Sequence, residues 1–292
     1  MLSTSTNTLV NPLNGNLAFK IFYFEGKGHF DYVQRNNYYT IVITQKCNGI
    51  LKADFTGYEI EGKNVFAFSP YQPFLFDCPA VFEGISIHFH PDFFCIYKHQ
   101  DQVACNGVLF NNIYKPPFVA LTEEQEEVSL SIIKQMDKEI QQVIIGQYEL
   151  LVAYLKILLI HLSRIKIEKN PQALLDNADY EQPFVLQNLK DAIEANYKTK
   201  HRASDYADIL HISSKALGKL TKKHFNKTLT ELISERIVIE AKRELYQTSK
   251  TVKEIAYELG YDDEFYFSRF FKKNTDVSPQ IYRETVGFAA ME

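Results

Sequence analysis

The sequence predicts an α+β protein, with a β-rich N-terminal half followed by an all-α C-terminal half. Three observations carry this. Short aromatic and β-branched runs separated by Gly, Asn and Pro fill residues 17–90. From Thr122 onward the apolar residues recur at helical spacing. Near the C-terminus, residues 203–223 and 252–273 form a degenerate repeat. At 292 residues the chain has room for two domains, and its 46% hydrophobic content supplies two cores.

The strand candidates are LAFKIFYF (17–24), YYTIVITQK (38–46), NVFAFSP (64–70) and VFEGISIHFH (81–90). The 22 Phe and 18 Tyr, with no Trp, suit half-buried pleated surfaces. Several such strands at regular spacing predict a sandwich or a small barrel. Within them Phe19, Tyr23, Tyr39, Phe66, Phe68, Phe74 and Phe76 are candidates to line an apolar effector pocket. His88 and His90, two apart in a strand, would share a face and could ligate a divalent metal with Asp92, His29 or His99.

Residues 91–120 are punctuated by Pro91, Pro116 and Pro117 and receive no assignment. Thr122 and Gln125 form a capping box, which starts a helix over 122–143 with Val128, Ile132, Ile133, Met136 and Ile140 as its apolar stripe. Gly146 breaks the run, and 147–167 is a second helix, apolar over most of its circumference. These two helices carry more apolar surface than one sheet face needs, so they are the candidate homodimer interface. The polar, acidic stretch 168–183 reads as a linker between a domain at 1–167 and another at 184–288.

Several function classes are excluded by what the sequence lacks. Cys47, Cys78, Cys95 and Cys105 form no CxxC pair and read as reduced, buried thiols. The N-terminus has no secretory signature, and no apolar run is long enough to span a bilayer, so a cytoplasmic protein without a membrane partner is expected. No P-loop, Rossmann fingerprint or nucleophile elbow is present, and no catalytic residue, cofactor or metal is assigned. The net charge of −4 is uneven: Phe184 to Thr285 carries 18 basic and 15 acidic residues, a balance of +3, against −7 for the rest. That asymmetry points to nucleic acid at the C-terminal part.

In the repeat, an offset of 49 aligns Ala207 with Ala256, and an offset of 50 aligns Leu217 with Phe267 and Lys219 with Arg269. The second unit therefore has one extra residue in its turn. A small residue lets two helices cross closely, and Gly260 supplies the positive φ a helix-turn-helix needs. Ser213 and Asp262 or Asp263 are N-cap candidates. Leu217, Leu220, Phe267 and Phe270 are expected to face the core, leaving Lys215, Gly218, Lys219 and Lys222, then Phe265, Ser268, Arg269 and Lys272, on the opposite faces. Between the units, Thr228 to Gln247 is a helix close to 30 Å long at about 1.5 Å per residue.

Residues 254–283 (EIAYELGYDDEFYFSRFFKKNTDVSPQIYR), 207–228 and the linking 232–249 resemble the AraC/XylS family DNA-binding domain. Gly260-Tyr261, the run 267–272 and Ser278-Pro279 carry the likeness. His211 departs from it, standing where the family often has Gly, as do Lys215 and Gly218, where larger readers are frequent. The resemblance implies two helix-turn-helix units joined by a long helix, and an N-terminal cupin-like β-barrel with a helical dimerisation element.

It also implies a sequence-specific transcription regulator, with double-stranded DNA, a small-molecule effector and a second copy as partners and RNA polymerase as a further candidate. The DNA-binding candidates are then Ser214, Lys215, Gly218, Lys219, Lys222, Lys223, Glu264, Phe265, Ser268, Arg269, Lys272 and Lys273. Arg269, Ser268 and Lys219 are the expected base readers. Lys222, Lys223, Lys272 and Lys273 are expected on phosphates. The alternative is a metal-dependent cupin enzyme, built on His88 and His90, fused to a DNA-binding domain.

Overall fold

The structure is a computed structural model that describes residues 6–11, 15–26, 28–54, 56–79, 82–103, 107–142, 144–169 and 184–286. The chain divides into two compact units, Met1–Asn112 with Pro116–Ala173, and Ile113–Lys115 with Leu174–Glu292. The linker read at 168–183 lies, from residue 170, outside the described residues.

The first unit holds two antiparallel sheets. The larger runs in the order β1 (Thr6–Val10), β2 (Leu17–Glu25), β8 (Glu83–Phe89), β3 (Tyr39–Lys46), β6 (Asn64–Phe68), β9 (Phe118–Ala120). The smaller is β5 (Thr56–Glu61), β4 (Asn48–Ala53), β7 (Phe74–Asp77). Strand β8 lies between β2 and β3, with Phe89 opposite both Phe19 and Tyr39.

Alternation divides the large sheet into two buried faces. Phe19, Ile21, Tyr39, Ile41, Ile43, Ile85, Ile87 and Phe89 face a helical layer made by α2 (Glu123–Ile140) and α3 (Gln147–Glu168). That layer presents Ile133, Met136, Leu151, Leu155, Leu158 and Leu162. The alternate residues Phe22, Phe24, Val42, Phe66 and Phe68 pack against Leu51, Ile60, Phe74 and Phe76 of the small sheet, with Phe30 and Phe82 between. Each fully buried side chain of this size contributes roughly 1.5–3 kcal/mol.

Two expectations are corrected here. Strand pairing does not close into a cupin-like barrel, because β4 is flanked by β5 and β7 while β6 pairs onward with β9. The isolated bridge Gln34–Phe74 adds no strand that joins the two sheets, so the arrangement is a sandwich, the other form the strand pattern allowed. The aromatics proposed to line a pocket instead fill the cores. The rings of Phe68 and Phe74 stack at 3.8 Å, and those of Phe66 and Phe76 meet edge-on at 4.9 Å. Phe19 and Tyr39 are likewise buried, on the helical side; only Tyr23 is half-exposed.

Helix α2 begins as its capping box predicts. The Thr122 hydroxyl accepts from the Gln125 amide, and the Gln125 side chain accepts from the Thr122 amide. It ends at Ile140, three residues before the expected boundary, and Gly146 enters α3 at φ +78°. A four-residue helix α1 (Gln100–Val103) lies in the unassigned stretch. No described helix is long and apolar enough to cross a membrane. Cys47, Cys78 and Cys95 are free and buried, with 3.4 Å between the sulfurs of Cys47 and Cys78, while Cys105 is outside the described residues.

The second unit is all helix: α4 (Phe184–Asn196), α5 (Ala203–Ile209), α6 (Ser214–Phe225), α7 (Leu229–Gln247), α8 (Val252–Glu258), α9 (Glu264–Thr275) and α10 (Pro279–Val286). Helix α7 is central, burying Leu232, Ile233, Ile237, Ala241 and Leu245. Its N-terminus is fixed by a Thr228–Glu231 capping box. An ion-pair series runs along it. Lys227 meets Glu235 at 2.7 Å, both buried, and Arg236 and Arg243 bind Glu240.

Candidate nucleic-acid interface

Helices α5–α6 and α8–α9 are two helix-turn-helix units built by the same local chemistry. The first turn has four residues, Leu210 to Ser213, and the second has five, Leu259 to Asp263. In each, the second turn residue is left-handed: His211 at φ +54°, Gly260 at φ +76°. The next residue returns its amide to the buried alanine of the first helix, Ile212 to Ala207 at 3.1 Å and Tyr261 to Ala256 at 2.9 Å. The N-caps also correspond. Ser213 Oγ accepts from the Ala216 amide at 3.2 Å, and Asp263 Oδ1 accepts from Phe265 and Tyr266 at 2.7 and 3.2 Å. Such caps contribute about 1 kcal/mol each. Asp263, of the two aspartates proposed, is the cap.

The two second helices bury the same stripe: Leu217, Thr221 and Phe225 in α6, and Phe267, Phe271 and Thr275 in α9. Leu220 and Phe270, expected in the core, are half-buried. The threonines are tolerated because each hydroxyl donates within its own helix, Thr221 to the Gly218 carbonyl at 3.1 Å and Thr275 to the Phe271 carbonyl at 2.9 Å. The stripe turns the opposite faces outward. Ser214, Lys215, Lys219, Lys222 and Lys223 are exposed on α6, as are Phe265, Arg269, Lys272 and Lys273 on α9; Gly218, Glu264 and Ser268 are half-exposed. Phe265 is 69% exposed. A phenylalanine left in water on a helix held by its other face is available to a partner. Lys222 is partly engaged already, donating to the Asn226 carbonyl at 3.1 Å.

Arg283 was not legible as a positioning residue. From α10 it donates to the carbonyls of Leu245, Thr248 and Lys250 at 3.0, 3.3 and 2.6 Å. It thereby fixes the end of α7 and the entry to the second unit. No local sequence signal marks it, because the carbonyls it binds lie 33 to 38 residues earlier in the chain. Lys250 binds Glu244 and Glu258, linking α7 to α8.

In the first unit His88 and His90 do not share a face, which corrects the reading of a metal-binding strand. Strand β8 ends at Phe89, and the His90 carbonyl accepts from the amides of Phe93 and Phe94, turning the chain. His88 lies in the sandwich, with Nε2 2.9 Å from Ser86 Oγ and its ring stacked on Tyr38 at 4.5 Å. Burial, with Lys20 adding to it, pushes its pKa down to about 3. His90 sits beside Asp92. His29 packs on Phe22 and His99 on Phe94. No group of three potential metal ligands occurs among the described residues.

These features define a double helix-turn-helix protein. A family model described as a helix-turn-helix domain matches residues 206–285. The raffinose operon transcriptional regulatory protein RafR of Pediococcus pentosaceus is 33% identical over 95 residues, 32% of this chain and 34% of that protein. An uncharacterized HTH-type transcriptional regulator in the cgkA 5' region of Pseudoalteromonas carrageenovora is 32% identical over 123 residues, 42% of this chain and 69% of that protein. Among solved structures, apo ToxT from Vibrio cholerae is similar at 18% identity and a TM-score of 0.42, covering 93% of this chain and 98% of that one. The chain belongs to the AraC/XylS family. It spans 34% and 16% of the length of the first two curated relatives it matches.

Proposed function

We propose that the protein is a sequence-specific, DNA-binding transcription regulator that places α6 and α9 in successive major-groove segments of one duplex. The observation that carries this reading is the shared exposure pattern of the two helices. Lys215, Lys219, Lys222 and Lys223 on α6 recur as Phe265, Arg269, Lys272 and Lys273 on α9, each set opposite a buried stripe. Arg269 can bond guanine through two donors, and Ser268 can reach an adjacent base edge. Lys219 is the corresponding reader in α6. The paired lysines toward the C-terminal end of each helix suit phosphates, which position the protein without reading sequence. Helix α7, with 19 residues, spans about 28 Å, close to the roughly 34 Å between successive major-groove faces.

The sheet-rich unit is the effector-sensing part in this reading, and α2 with α3 the homodimer interface. Exposed Leu150 and Ile157 on α3 support the second assignment. The reading involves no catalytic step. Its test is selection of duplexes from a random pool by the full chain, followed by hydroxyl-radical footprinting of the selected site. Two protected patches one helical turn apart on one face are expected for each protomer. Protection confined to a single groove segment would show that the two units do not act together.

A further inference from the structure

The sandwich interior is filled with phenylalanine, yet the same unit contains a cavity of about 480 Å³ outside it. It lies where the start of β2 and the end of β1 approach the N-terminal end of α3. Its volume falls within the range of small-molecule sites. The walls include Leu9, Val10, Phe93 and Tyr148. The aromatic wall is held in place: Tyr148 donates its hydroxyl to the Phe93 carbonyl at 2.8 Å, and the two rings meet edge-on at 5.0 Å.

The polar lining is His90, Asp92, Asn11, Asn16 and Gln147, of which Asp92 is the one carboxylate. An oxygen of Asp92 is 3.4 Å from His90 Nδ1, and the His90 side chain is 4% exposed against 34% for Asp92. Asp92 is therefore a carboxylate at the boundary of an apolar space, with one side still open to a ligand. No lysine or arginine lines the cavity among the described residues. Burial raises the pKa of Tyr148, and Glu149 and Asp92 add to it, so two carboxylates lie near this wall. Such a site repels carboxylates and phosphates. It attracts a cation, which gains from both the carboxylate and the aromatic faces.

We propose that this cavity binds a small organic amine, with its ammonium group at Asp92 and its apolar body against Leu9, Val10, Phe93 and Tyr148. This deepens the effector reading, and rests on it only for the consequence that the amine alters DNA binding. Occupation would tie β1 and β2 to the N-terminal end of α3, the helix assigned to dimerisation.

The experiment uses the full chain and three probes of similar shape: phenethylamine, 2-phenylethanol and phenylacetate. Calorimetric titration, with melting temperature as a second readout, is expected to order them amine, alcohol, carboxylate, with the carboxylate not binding. Asp92→Asn removes one charge-assisted contact and should weaken the amine by about tenfold or more. Asp92→Lys should reverse the order, favouring phenylacetate. An unchanged melting temperature without ligand checks that each variant is folded. No binding of phenethylamine at millimolar concentration, or affinity unaltered in Asp92→Asn, overturns the proposal. Titration of the selected duplex with and without phenethylamine separates the two readings. Binding at Asp92 with unchanged DNA affinity leaves the cavity assignment standing and removes the effector role.

Discussion

The carbonyl oxygen of Lys198 occupies the space that a β-carbon on Gly260 would take, so any side chain at 260 would collide with it. Gly260 is also left-handed at φ +76°, so two independent constraints exclude a side chain there. The close approach brings the segment after α4 onto the second turn, where the rings of His201 and Tyr261 meet at 4.7 Å. Gly260→Ala is therefore expected to cost more than the roughly 1–2 kcal/mol of a left-handed alanine. Denaturant unfolding of the full chain measures it. A loss under about 1 kcal/mol would show that the turn relaxes easily.

Gly218 is the opposite case. It lies mid-helix, and a β-carbon there meets nothing within 4 Å. Gly218→Ala should stabilise the protein by up to about 1 kcal/mol on helix propensity alone. If α6 enters a groove at this point, the same change should weaken DNA binding. A variant that is more stable and binds DNA equally well would place Gly218 away from the duplex.

Lys227 and Glu235 form an ion pair at 2.7 Å with side chains 5% and 9% exposed. Glu235→Ala removes the carboxylate from a buried ammonium group that keeps the Ile113 carbonyl at 3.2 Å, and should cost up to roughly 3–5 kcal/mol. Replacing both partners, Lys227→Met with Glu235→Leu, should cost far less. Equal losses in the two variants would mean that packing at these positions, rather than the uncompensated charge, sets the effect.

His88 is neutral in the folded protein, its pKa pushed down to about 3 by burial, whereas an exposed histidine titrates near 6.5. The unfolded chain binds the proton first as pH falls. The neutral ring thus costs no stability above pH 6.5, and stability declines between 6.5 and 3 by at most about 1.4 kcal/mol per pH unit. Denaturant midpoints at pH 7 and pH 4.5 should differ more for the parent than for His88→Gln. Identical pH dependence would mean that His88 gains a proton without loss of the fold.

Much of the second unit was legible because its determinants are local. The extra turn residue, the caps Ser213 and Asp263, and the left-handed positions His211 and Gly260 are each fixed by a few neighbouring residues. The threonines that complete the buried stripe were not legible. A polar side chain reads as exposed unless one sees its hydroxyl satisfied by the preceding turn. The first unit was harder because its pairing is non-local. Alternation in β8 predicts two faces, but not that β8 lies between β2 and β3 or that β4 takes β5 and β7 as neighbours. His88 and His90 look equivalent until the turn after Phe89 separates them. The cavity at Asp92 was invisible for the same reason, since segments far apart in sequence meet there.

The most direct measurement of the central claim is the affinity of Arg269→Ala, against the parent, for the selected duplex and for a scrambled duplex at one fixed salt concentration. Arg269 is exposed on α9, one position past Ser268 and opposite buried Phe267 and Phe271. As a base reader it should be worth about 1–3 kcal/mol of discrimination, so the variant should lose roughly 10- to 100-fold on the selected duplex and little on the scrambled one. Equal losses on both duplexes would contradict the account, because Arg269 would then hold only phosphate.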